Sequence, residues 1–575
     1  MNRFALRTLP SVVLAGVVAA GLFLGGGAIR HPAAAAVPAE AEPALKSAPL
    51  RVRLISQGQY ANTIAYVFGD DIKVPTRFPA VNRTKGLLAL GSATAVLTPS
   101  GVEQFSRNAQ VVAEQVVAPT RRGYLIPCTP KSELAADAAC AQRFFSKVGR
   151  LLYRRPLRAD ELAVIVAASG EAAERLGGFY EGVRYTLTGM LTAPDFLFVI
   201  EQAQASPDLA TGHGLDAYSL ASRLSLLRWN ADPDDELLNA AQRGALATPA
   251  GLERQVDRLL TSPRLEKGVR AFFADMLAFD SFANLAKDPL IYPAYRPQVP
   301  GEAEEQALRT IVDQLITRNG DYRDLFTGRR TFLTGALAAL YRVPADPSKD
   351  WSTYEFPADS PRSGLLTQIG FLSLYAHAGR SSPTKRGRAL RENFLCQIVP
   401  DPPPNVDFSI VEDPNAKFLT ARHRLSAHST DPTCAGCHRI TDPAGLALEN
   451  FDGAGQHRLD EKGAPIDASG ELDGVPFDDP AGLGRAIRDN PATTSCVVDR
   501  LYSYAVAREV GREERALAGY LSQRFAKDEY RVPALLRTIA LSRAFRAASL
   551  PDPSPTMKSA LLSGRDGHLA KGKQQ

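Results

Sequence analysis

Apolar residues recur at helical spacing along most of the chain, and this pattern predicts a mainly α-helical protein. Between residues 217 and 227, alanine and leucine lie three or four positions apart, which places them on one face of a helix. Three pairs in which a capping residue precedes proline predict further helix starts: Asp232-Pro233, Thr248-Pro249 and Ser262-Pro263. Residues 216–278 are therefore expected to form three short antiparallel helices, as in a helical bundle.

The same periodicity extends over the rest of the chain, whereas the alternation typical of strands is scarce. Further helices are predicted at about residues 101–117, 135–152, 158–175, 178–203, 303–318, 494–508, 513–526 and 532–545. Residues 50–57 and 464–478 are expected to form small β-hairpins. The predicted fold class is mainly α, with multi-domain helical bundles and minor β-hairpins.

Length and composition are those of a folded protein with several domains. The chain has 575 residues, which corresponds to about three or four domains. Hydrophobic residues make up 45% and charged residues 22%, which excludes collagen, wholesale disorder and a multi-span membrane protein. The net charge of +5 resides in residues 1–36 and 555–575, so the body of the chain is nearly neutral. A nucleic-acid partner is therefore not expected.

Residues 1–36 have the pattern of an export signal. Arg3 and Arg7 precede a stretch without charge that runs from Thr8 to Ile29, and the alanines at 34–36 offer a cleavage site. The alternative is an uncleaved membrane anchor, because the uncharged stretch is long enough to cross about 30 Å of hydrocarbon. Either reading predicts a periplasmic or otherwise exported protein, with membrane contact only through this segment if it is uncleaved.

One cysteine pair has the spacing for covalent haem attachment. Residues 434–438 read Cys-Ala-Gly-Cys-His, the C-x-x-C-H pattern in which Cys434 and Cys437 bind the haem vinyl groups and His438 binds the iron. Half of a zinc site is an alternative, but no other cysteine pair has matching spacing. A thioredoxin-like redox pair expects a βαβ context that the pattern lacks. The sequence thus predicts one covalent haem c near the C-terminus.

The four other cysteines allow three disulfide connectivities. An exported protein meets an oxidising compartment, where disulfides form and persist. We predict the local pair Cys128–Cys140, which leaves Cys396–Cys496 to close a long loop around the haem segment. Four buried free thiols are the alternative.

The ligand opposite His438 decides the chemistry of the haem. A methionine there is typical of electron carriers, but the chain has no methionine between residues 277 and 556, and Met276 lies on the apolar face of a helix. His428, six residues before Cys434, is the first candidate for the second ligand, and a capping or surface role is its alternative. Weaker alternatives are His377, His423 and His457. An open position, which permits peroxide or oxygen chemistry, is the remaining possibility.

Charged residues near the motif have two possible uses. Arg439 and Arg458 are predicted to bind the haem propionates, because a guanidinium pairs well with a carboxylate. The alternative is that they cap loops or face water. Glu449 and Asp452 could act as acid and base in a peroxidase, but the sequence around Asp452 also reads as an ordinary turn.

Several blocks of the chain resemble a known family. HSTDPTCAGCHRITDPAGLALENFDGAGQHR at 428–458 is similar to the haem segment of exported, planctomycete-type cytochrome-c-like proteins built from consecutive domains of unknown function. Blocks in the same order are YANTIAYVFGD at 60–70, CAQRFFSKVGRLLYRRPLRADEL at 140–162, LASRLSLLRWNADPDDELL at 220–238, KRGRALRENFLCQIVPDPPPNV at 385–406 and IDASGEL at 466–472.

This resemblance covers roughly residues 52–547 and implies an exported, mostly helical, haem-bearing protein. It also implies that the four remaining cysteines form disulfides, since all fall in matching blocks. His457 departs from the family, which more often has an aromatic residue at that position. The reaction is left open, because the biochemistry of the family is largely undefined.

The predicted layout has eight parts: signal peptide or anchor (1–36), linker (37–50), N-terminal module (51–100), helical domain (101–205), central helical domain (206–380), Pro-containing connector (381–430), haem segment with C-terminal helices (431–550) and disordered tail (551–575). The leading functional hypothesis is a mono-haem cytochrome that exchanges electrons with a redox partner protein. A haem peroxidase or oxygenase, in which the helical domains form a substrate pocket, is the second hypothesis. A haem-bearing binding scaffold is the third.

Overall fold

The protein is represented by a computed structural model that describes residues 41–75, 78–346, 348–401, 418–428 and 432–550. Within these ranges, the side chains of residues 427, 428 and 432–434 are not described. The predicted signal or anchor, most of the Pro-containing connector, the C-terminal tail and the side chains of His428 and Cys434 therefore lie outside the described residues. No helix in the described ranges is both long and apolar enough to cross a membrane.

Most helices in the part of the chain up to residue 200 pack around one hydrophobic cluster, whereas Leu87 and Leu90 belong to a larger one. Buried side chains of the first cluster include Tyr60, Phe105, Phe144 and Phe196. The helices are Gln57–Phe68, Leu88–Gly91, Pro99–Val117, Arg122–Leu125, Ala138–Leu152, Ala159–Leu176, Phe179–Thr192 and Pro194–Leu197.

Ala421, Leu425 and Leu446 form a small separate cluster, and most of the other described residues pack around a larger one. Its helices up to residue 394 are Ala217–Trp229, Asp235–Gln242, Pro249–Thr261, Leu265–Met276, Val299–Val312, Gly335–Tyr341, Ile369–Leu374 and Pro383–Phe394. The later helices are Ala421–His428, Pro432–Leu446, Pro480–Asp489, Pro491–Val506, Arg515–Lys527, Val532–Leu541 and Arg543–Arg546. Shorter 3-10 and π turns connect several of them. The cluster includes Leu448 and Phe451, so the chain that follows the C-x-x-C-H motif is anchored in the main core.

Short antiparallel strands complete the described fold. The pairs are Val52–Leu54 with Phe198–Ile200, Arg330–Leu333 with Ser352–Glu355, Asp460–Glu461 with Ala464–Pro465, and Gly470–Leu472 with Val475–Phe477. A three-stranded sheet joins Ala203–Ala205, His213–Leu215 and Ala547–Ala548. The predicted fold class, mainly α with minor β-hairpins, is confirmed.

Many helices begin where a capping side chain precedes proline. Thr248 accepts a hydrogen bond from the backbone of Gly251, and Pro249 is the first helical residue. This arrangement satisfies a backbone donor that has no partner within the helix, and proline loses nothing because its missing N–H lies where none is needed. The predicted helix start at Thr248-Pro249 is confirmed.

Two other predicted helix starts are displaced by two residues. The helix after Trp229 begins at Asp235 with Asp234 as its cap, not Asp232. Asp232 is instead buried, 3.0 Å from the guanidinium of Arg154, and this ion pair removes it from the cap position. The helix predicted from Ser262-Pro263 begins at Leu265.

Residues 216–278 consequently contain four helices rather than the predicted three. The prediction was wrong because the Asp-Pro and Ser-Pro signals each open a separate short helix. The segment near residues 50–57 also differs from the prediction of a local hairpin. Its strand ends at Leu54 because Ser56 caps the next helix, so the strand pairs with residues 198–200 instead. The hairpin predicted within 464–478 is present, with Asp473 and Gly474 at its turn.

Both predicted disulfides are confirmed. Cys128 pairs with Cys140, with Cα atoms 5.7 Å apart. Cys396 pairs with Cys496, with Cα atoms 5.3 Å apart, although 100 positions separate them. Two disulfides are expected of a protein in an oxidising compartment outside the cytosol.

Candidate functional site

The C-x-x-C-H residues lie on one helix, Pro432–Leu446, which we call the motif helix. Cys434, Cys437 and His438 occupy positions i, i+3 and i+4, and these positions share one face of an α-helix. The backbone therefore places both cysteines next to the histidine. Cys437 is a free, partly exposed cysteine whose Sγ lies 3.9 Å from the carbonyl oxygen of Pro400. The described side chains contain no group of three or more His, Cys, Asp and Glu residues placed to hold a metal ion.

The imidazole of His438 is oriented by a carboxylate one turn later on the same helix. Its Nδ1 atom lies 2.7 Å from Oδ2 of Asp442. This hydrogen bond raises the pKa of His438 above its ordinary value, and burial acts in the opposite direction. A donor bond from Nδ1–H leaves Nε2 as the nitrogen with a lone pair for a metal, and the carboxylate makes the ring a more basic ligand.

Asp442 is itself held in place from two helices. Its Oδ1 accepts hydrogen bonds from the hydroxyl of Thr384, at 2.9 Å, and from that of Thr441, at 3.0 Å. The Asp442 residue is 6% exposed. These bonds fix the carboxylate and thereby the imidazole plane of His438. Asp442 was not among the predicted site residues, although its position four residues after His438 on a helix is a usable signal.

The helix Pro383–Phe394, which we call the anchor helix, supports the motif helix. A Cβ at Gly387 would lie 1.9 Å from the carbonyl oxygen of Thr441, and one at Gly445 would lie 1.9 Å from that of Pro383. Only glycine permits the two backbones to approach so closely at these two points. The crossing brings Thr384 within reach of Asp442.

Buried Arg386 on the anchor helix fixes the chain that follows the motif helix. Its guanidinium donates hydrogen bonds to the backbone carbonyls of Leu448 and Phe451, both at 2.8 Å, and to that of Asp452. Burial lowers the pKa of Arg386 to about 10, and neighbouring Glu449 opposes this effect. The family-like block at 385–406 thus contains a structural arginine that the sequence analysis did not single out.

Arg458 lies in a buried polar network. Its guanidinium is 2.9 Å from the carboxylate of Glu449 and 3.0 Å from the hydroxyl of Ser381. Burial raises the pKa of Glu449, and Arg386 and Arg458 oppose this. These contacts are those of a structural ion pair, and propionate binding by Arg458 stays a prediction. Arg439, on the motif helix, is exposed.

The other residues weighed as acid, base or iron ligand are distributed around the site. The carboxylate of Asp452 accepts hydrogen bonds from the backbone of Ala454 and Gln456, which is the turn role that its sequence suggests. His423 is exposed. The ring of His457 contacts that of Phe451 with centroids 5.7 Å apart. Met276 is 1% exposed within the main core.

His377 is half-buried at the N-terminal side of the anchor helix. Burial lowers its pKa to about 4, and Lys385, Arg380 and Lys287 add to this effect. Its backbone carbonyl accepts a hydrogen bond from Lys287, at 2.9 Å. The structure therefore surrounds this imidazole with cationic side chains.

Large apolar side chains are exposed on the segments around the motif helix. They are Ile398, Phe418, Leu419, Ile440 and Leu459. Arg391 connects two of these segments, because it donates to the carbonyl of Ile440, at 3.1 Å, and to the side chain of Gln397, at 2.8 Å. Burial of these side chains by an apolar partner or ligand would be favourable.

Four protein families match consecutive parts of the chain, and each is described as a protein of unknown function. They are DUF1595 at residues 140–201, DUF1592 at 215–343, DUF1588 at 362–461 and DUF1585 at 473–545. These domains are associated with cytochrome-c-like families. The predicted resemblance is thus confirmed at the level of consecutive domains, and the C-x-x-C-H motif lies within the DUF1588 match. No curated protein and no solved structure matched the chain.

Proposed function

We propose that this protein is an exported mono-haem c-type cytochrome that exchanges electrons with a partner protein. The observation that carries the proposal is the C-x-x-C-H motif on one helix, with His438 oriented by Asp442 at 2.7 Å. Bound haem supplies a one-electron iron couple. Cys434 and Cys437 would hold the group covalently, and His438 would bind the iron through Nε2.

The surroundings of the motif fit a haem. Ile398 is 79% exposed and Ile440 is 38% exposed, and an apolar ring placed over them would remove this surface from water. Exposed Arg439 is available on the same helix for a propionate. The Asp442 carboxylate supplies the outer hydrogen bond that ligating histidines almost always make.

The proposal includes a location outside the cytosol. Two disulfides and the apolar N-terminal pattern support a periplasmic or otherwise exported location, either free after cleavage or held by an N-terminal anchor. The partner is a redox protein rather than a nucleic acid, because the body of the chain is nearly neutral.

Covalent attachment is tested on protein produced in a host that matures c-type cytochromes. Wild-type protein should retain haem on denaturing electrophoresis and show an intact mass increased by one haem. Cys437→Ala should leave at most one thioether bond and a low yield of haem-loaded protein. Gly436→Ala is the matched control, because a Cβ at this position meets no atom of the described residues within 4 Å and the three attachment residues are kept. Release of haem from the wild-type protein by acid–acetone would contradict the proposal.

A haem oxidoreductase is the second candidate, favoured by the carboxylate at His438. A more basic histidine donates more electron density to iron and stabilises its oxidised states. This activity also requires a reactive sixth position, whereas a carrier has two strong ligands.

Carbon monoxide binding to the ferrous protein distinguishes the two candidates. No binding in the wild type, with binding after His428→Ala, supports a carrier with His428 as the second ligand. Rapid binding in the wild type, together with a reaction with peroxide, supports the oxidoreductase. Met276→Leu should leave the Soret spectrum unchanged in both cases, since Met276 packs in the core.

A further inference from the structure

A cavity of about 730 Å³ lies on the opposite side of the anchor helix from the motif helix. Gly387 of the anchor helix faces Thr441, whereas Lys385, Arg388 and Ala389 line the cavity. The other walls come from residues 83–90, from the segment after Phe394 and from residues 499–515. This volume is in the range of small-molecule sites.

Positive charge predominates in the lining of the cavity. The cationic lining residues are Arg83, Lys85, Lys385, Arg388, Arg500 and Arg515, and the acidic ones are Glu392, Asp499 and Glu509. Four of the cations have carboxylate partners: Arg83 with Asp275, Lys85 with Glu509, Arg388 with Glu392 and Arg515 with Asp499. In the described part of the chain, Lys385 and Arg500 have no carboxylate within salt-bridge distance.

The guanidinium of Arg500 lies in a confined position in the wall of the cavity. It lies against Gly86, where a Cβ would come within 2.4 Å of both terminal nitrogens. Its Nε atom is buried and has no hydrogen-bond partner among the described residues. Burial lowers the pKa of Arg500, and that of Lys385 is lowered in the same way. One terminal nitrogen of Arg500 donates a hydrogen bond to the backbone carbonyl of Glu392, at 3.3 Å. No carboxylate among the described residues neutralises the guanidinium, and an anionic group in the cavity would do so.

The remaining lining is apolar. Leu87 and Leu90 are buried, and Ala278, Ala389 and Val510 also line the cavity. Apolar walls with a few convergent polar groups are characteristic of sites for small organic molecules. The lining therefore suits an occupant with an apolar body and an anionic group.

We propose that this cavity binds a small organic carboxylate, with its anionic group at Arg500 and Lys385 and its apolar body against Leu90, Ala278 and Val510. A guanidinium pairs with a carboxylate through charge-assisted hydrogen bonds, which are the stronger class of hydrogen bond. The proposal concerns binding alone and does not depend on haem attachment.

The test uses 4-fluorobenzoate as the probe and follows its fluorine NMR line width with the full-length, haem-loaded protein. The probe should bind, whereas uncharged 4-fluorobenzyl alcohol, which has a similar body, should bind at least about tenfold more weakly. Equal binding of the alcohol would overturn the proposal. Absence of benzoate binding would overturn it too.

Substitutions of Arg500 and Lys385 test whether the probe binds in this cavity. Arg500→Gln should weaken benzoate binding by about tenfold or more, and Lys385→Gln should weaken it as well. Lys385 is exposed, so its variant answers the question even if Arg500→Gln does not fold. Lys527→Gln is the control, because it removes an exposed charge about 18 Å along the helix from Arg515. Unchanged binding in Lys385→Gln would contradict the assignment.

The Cys437→Ala variant separates this proposal from the proposed function. Benzoate binding in that variant, with haem missing, is the expected result. Binding that is lost together with haem would overturn the assignment to this cavity.

Discussion

Asp442 brings together three hydrogen bonds at one carboxylate. One oxygen faces Nδ1 of His438, and the other accepts the hydroxyls of Thr384 and Thr441. A carboxylate held in this way cannot turn away from the imidazole without losing two other bonds. The residue therefore decides both the orientation and the basicity of the proposed iron ligand.

Asp442→Asn should raise the reduction potential of the haem. The neutral amide lacks the negative charge that makes His438 a strong electron donor to the iron, so the ferric state is less stabilised. Thr384→Val should shift the potential by less, because the carboxylate and its charge remain. Potentiometric titration of the Soret band measures both shifts. A lower or unchanged potential in Asp442→Asn would show that the carboxylate does not act on the iron through His438.

The surroundings of Lys287 control the charge of its side chain. The residue is 8% exposed, and burial lowers its pKa to about 7, with further contributions from Arg386 and Lys385. Asp452 acts in the opposite direction. The unfolded chain keeps this proton up to the ordinary lysine pKa of 10.5, so folding is favoured progressively as pH rises from about 7 to 10.5.

Lys287→Met should therefore stabilise the protein at pH 6 by at least about 1 kcal/mol, since one pKa unit corresponds to about 1.4 kcal/mol. The lost bond to the carbonyl of His377 offsets part of this gain. The difference should disappear near pH 10, where the wild-type lysine is neutral in the folded state. Urea unfolding at the two pH values measures it, with exposed Lys527→Met as control. A variant less stable than wild type at pH 6 would refute this account.

At the scale of elements, the close crossing of the anchor and motif helices builds the site. Gly387 and Gly445 permit the backbone approach, and Arg386 then fixes the carbonyls that follow the motif helix. This crossing positions Thr384 next to Asp442. The geometry around His438 therefore depends on residues from a helix that begins about 50 positions earlier in the chain.

Gly387→Ala should destabilise the protein by about 1–3 kcal/mol, because the new methyl group meets the backbone oxygen of Thr441 and the helices must separate. The yield of haem-loaded protein should fall in parallel. Gly519→Ala is the matched control, since Gly519 lies exposed in the helix Arg515–Lys527 with nothing within 4 Å of a Cβ. That change should stabilise by about 0.4–1 kcal/mol. Thermal unfolding followed by circular dichroism compares the two variants, and equal stability would disprove the role of the close approach.

At the scale of the whole molecule, the two larger hydrophobic clusters are connected by polar contacts and by the chain itself. The buried pair of Arg154 and Asp232 links residues of the first part to the main core, and burial raises the pKa of Asp232 to about 6 against the effect of Arg154. The disulfide Cys396–Cys496 closes a loop that contains the whole motif helix. This disulfide therefore restricts the unfolded conformations of the proposed haem segment.

Replacement of Cys396 and Cys496 by alanine should cost more stability than replacement of Cys128 and Cys140. The unfolded chain gains more conformational entropy when the longer loop is opened. The expected loss in the free energy of unfolding is about 5 kcal/mol for the Cys396–Cys496 disulfide and about 3 kcal/mol for the Cys128–Cys140 disulfide. Unfolding temperatures of the two double variants, measured without reductant, provide the comparison. A larger loss for the Cys128 and Cys140 pair would contradict the loop-length argument.

The sequence alone was sufficient where a feature depends on neighbours along the chain or on covalent chemistry. Thr248-Pro249 starts a helix because the cap and the proline act within one turn. Both disulfides followed from counting cysteines and choosing the local pair. The C-x-x-C-H spacing identified the candidate attachment residues. Helical spacing from His438 also carries a signal for Asp442, although that residue was not predicted.

Only the tertiary structure decided features whose partners are distant in the chain. Asp232 looked like a helix cap but pairs with Arg154, and Val52 pairs with Ile200 instead of forming a local hairpin. Local pattern cannot predict such contacts, because burial and backbone pairing are set by which surfaces meet after folding. The same holds for the cavity at Arg500, whose walls come from separate parts of the chain.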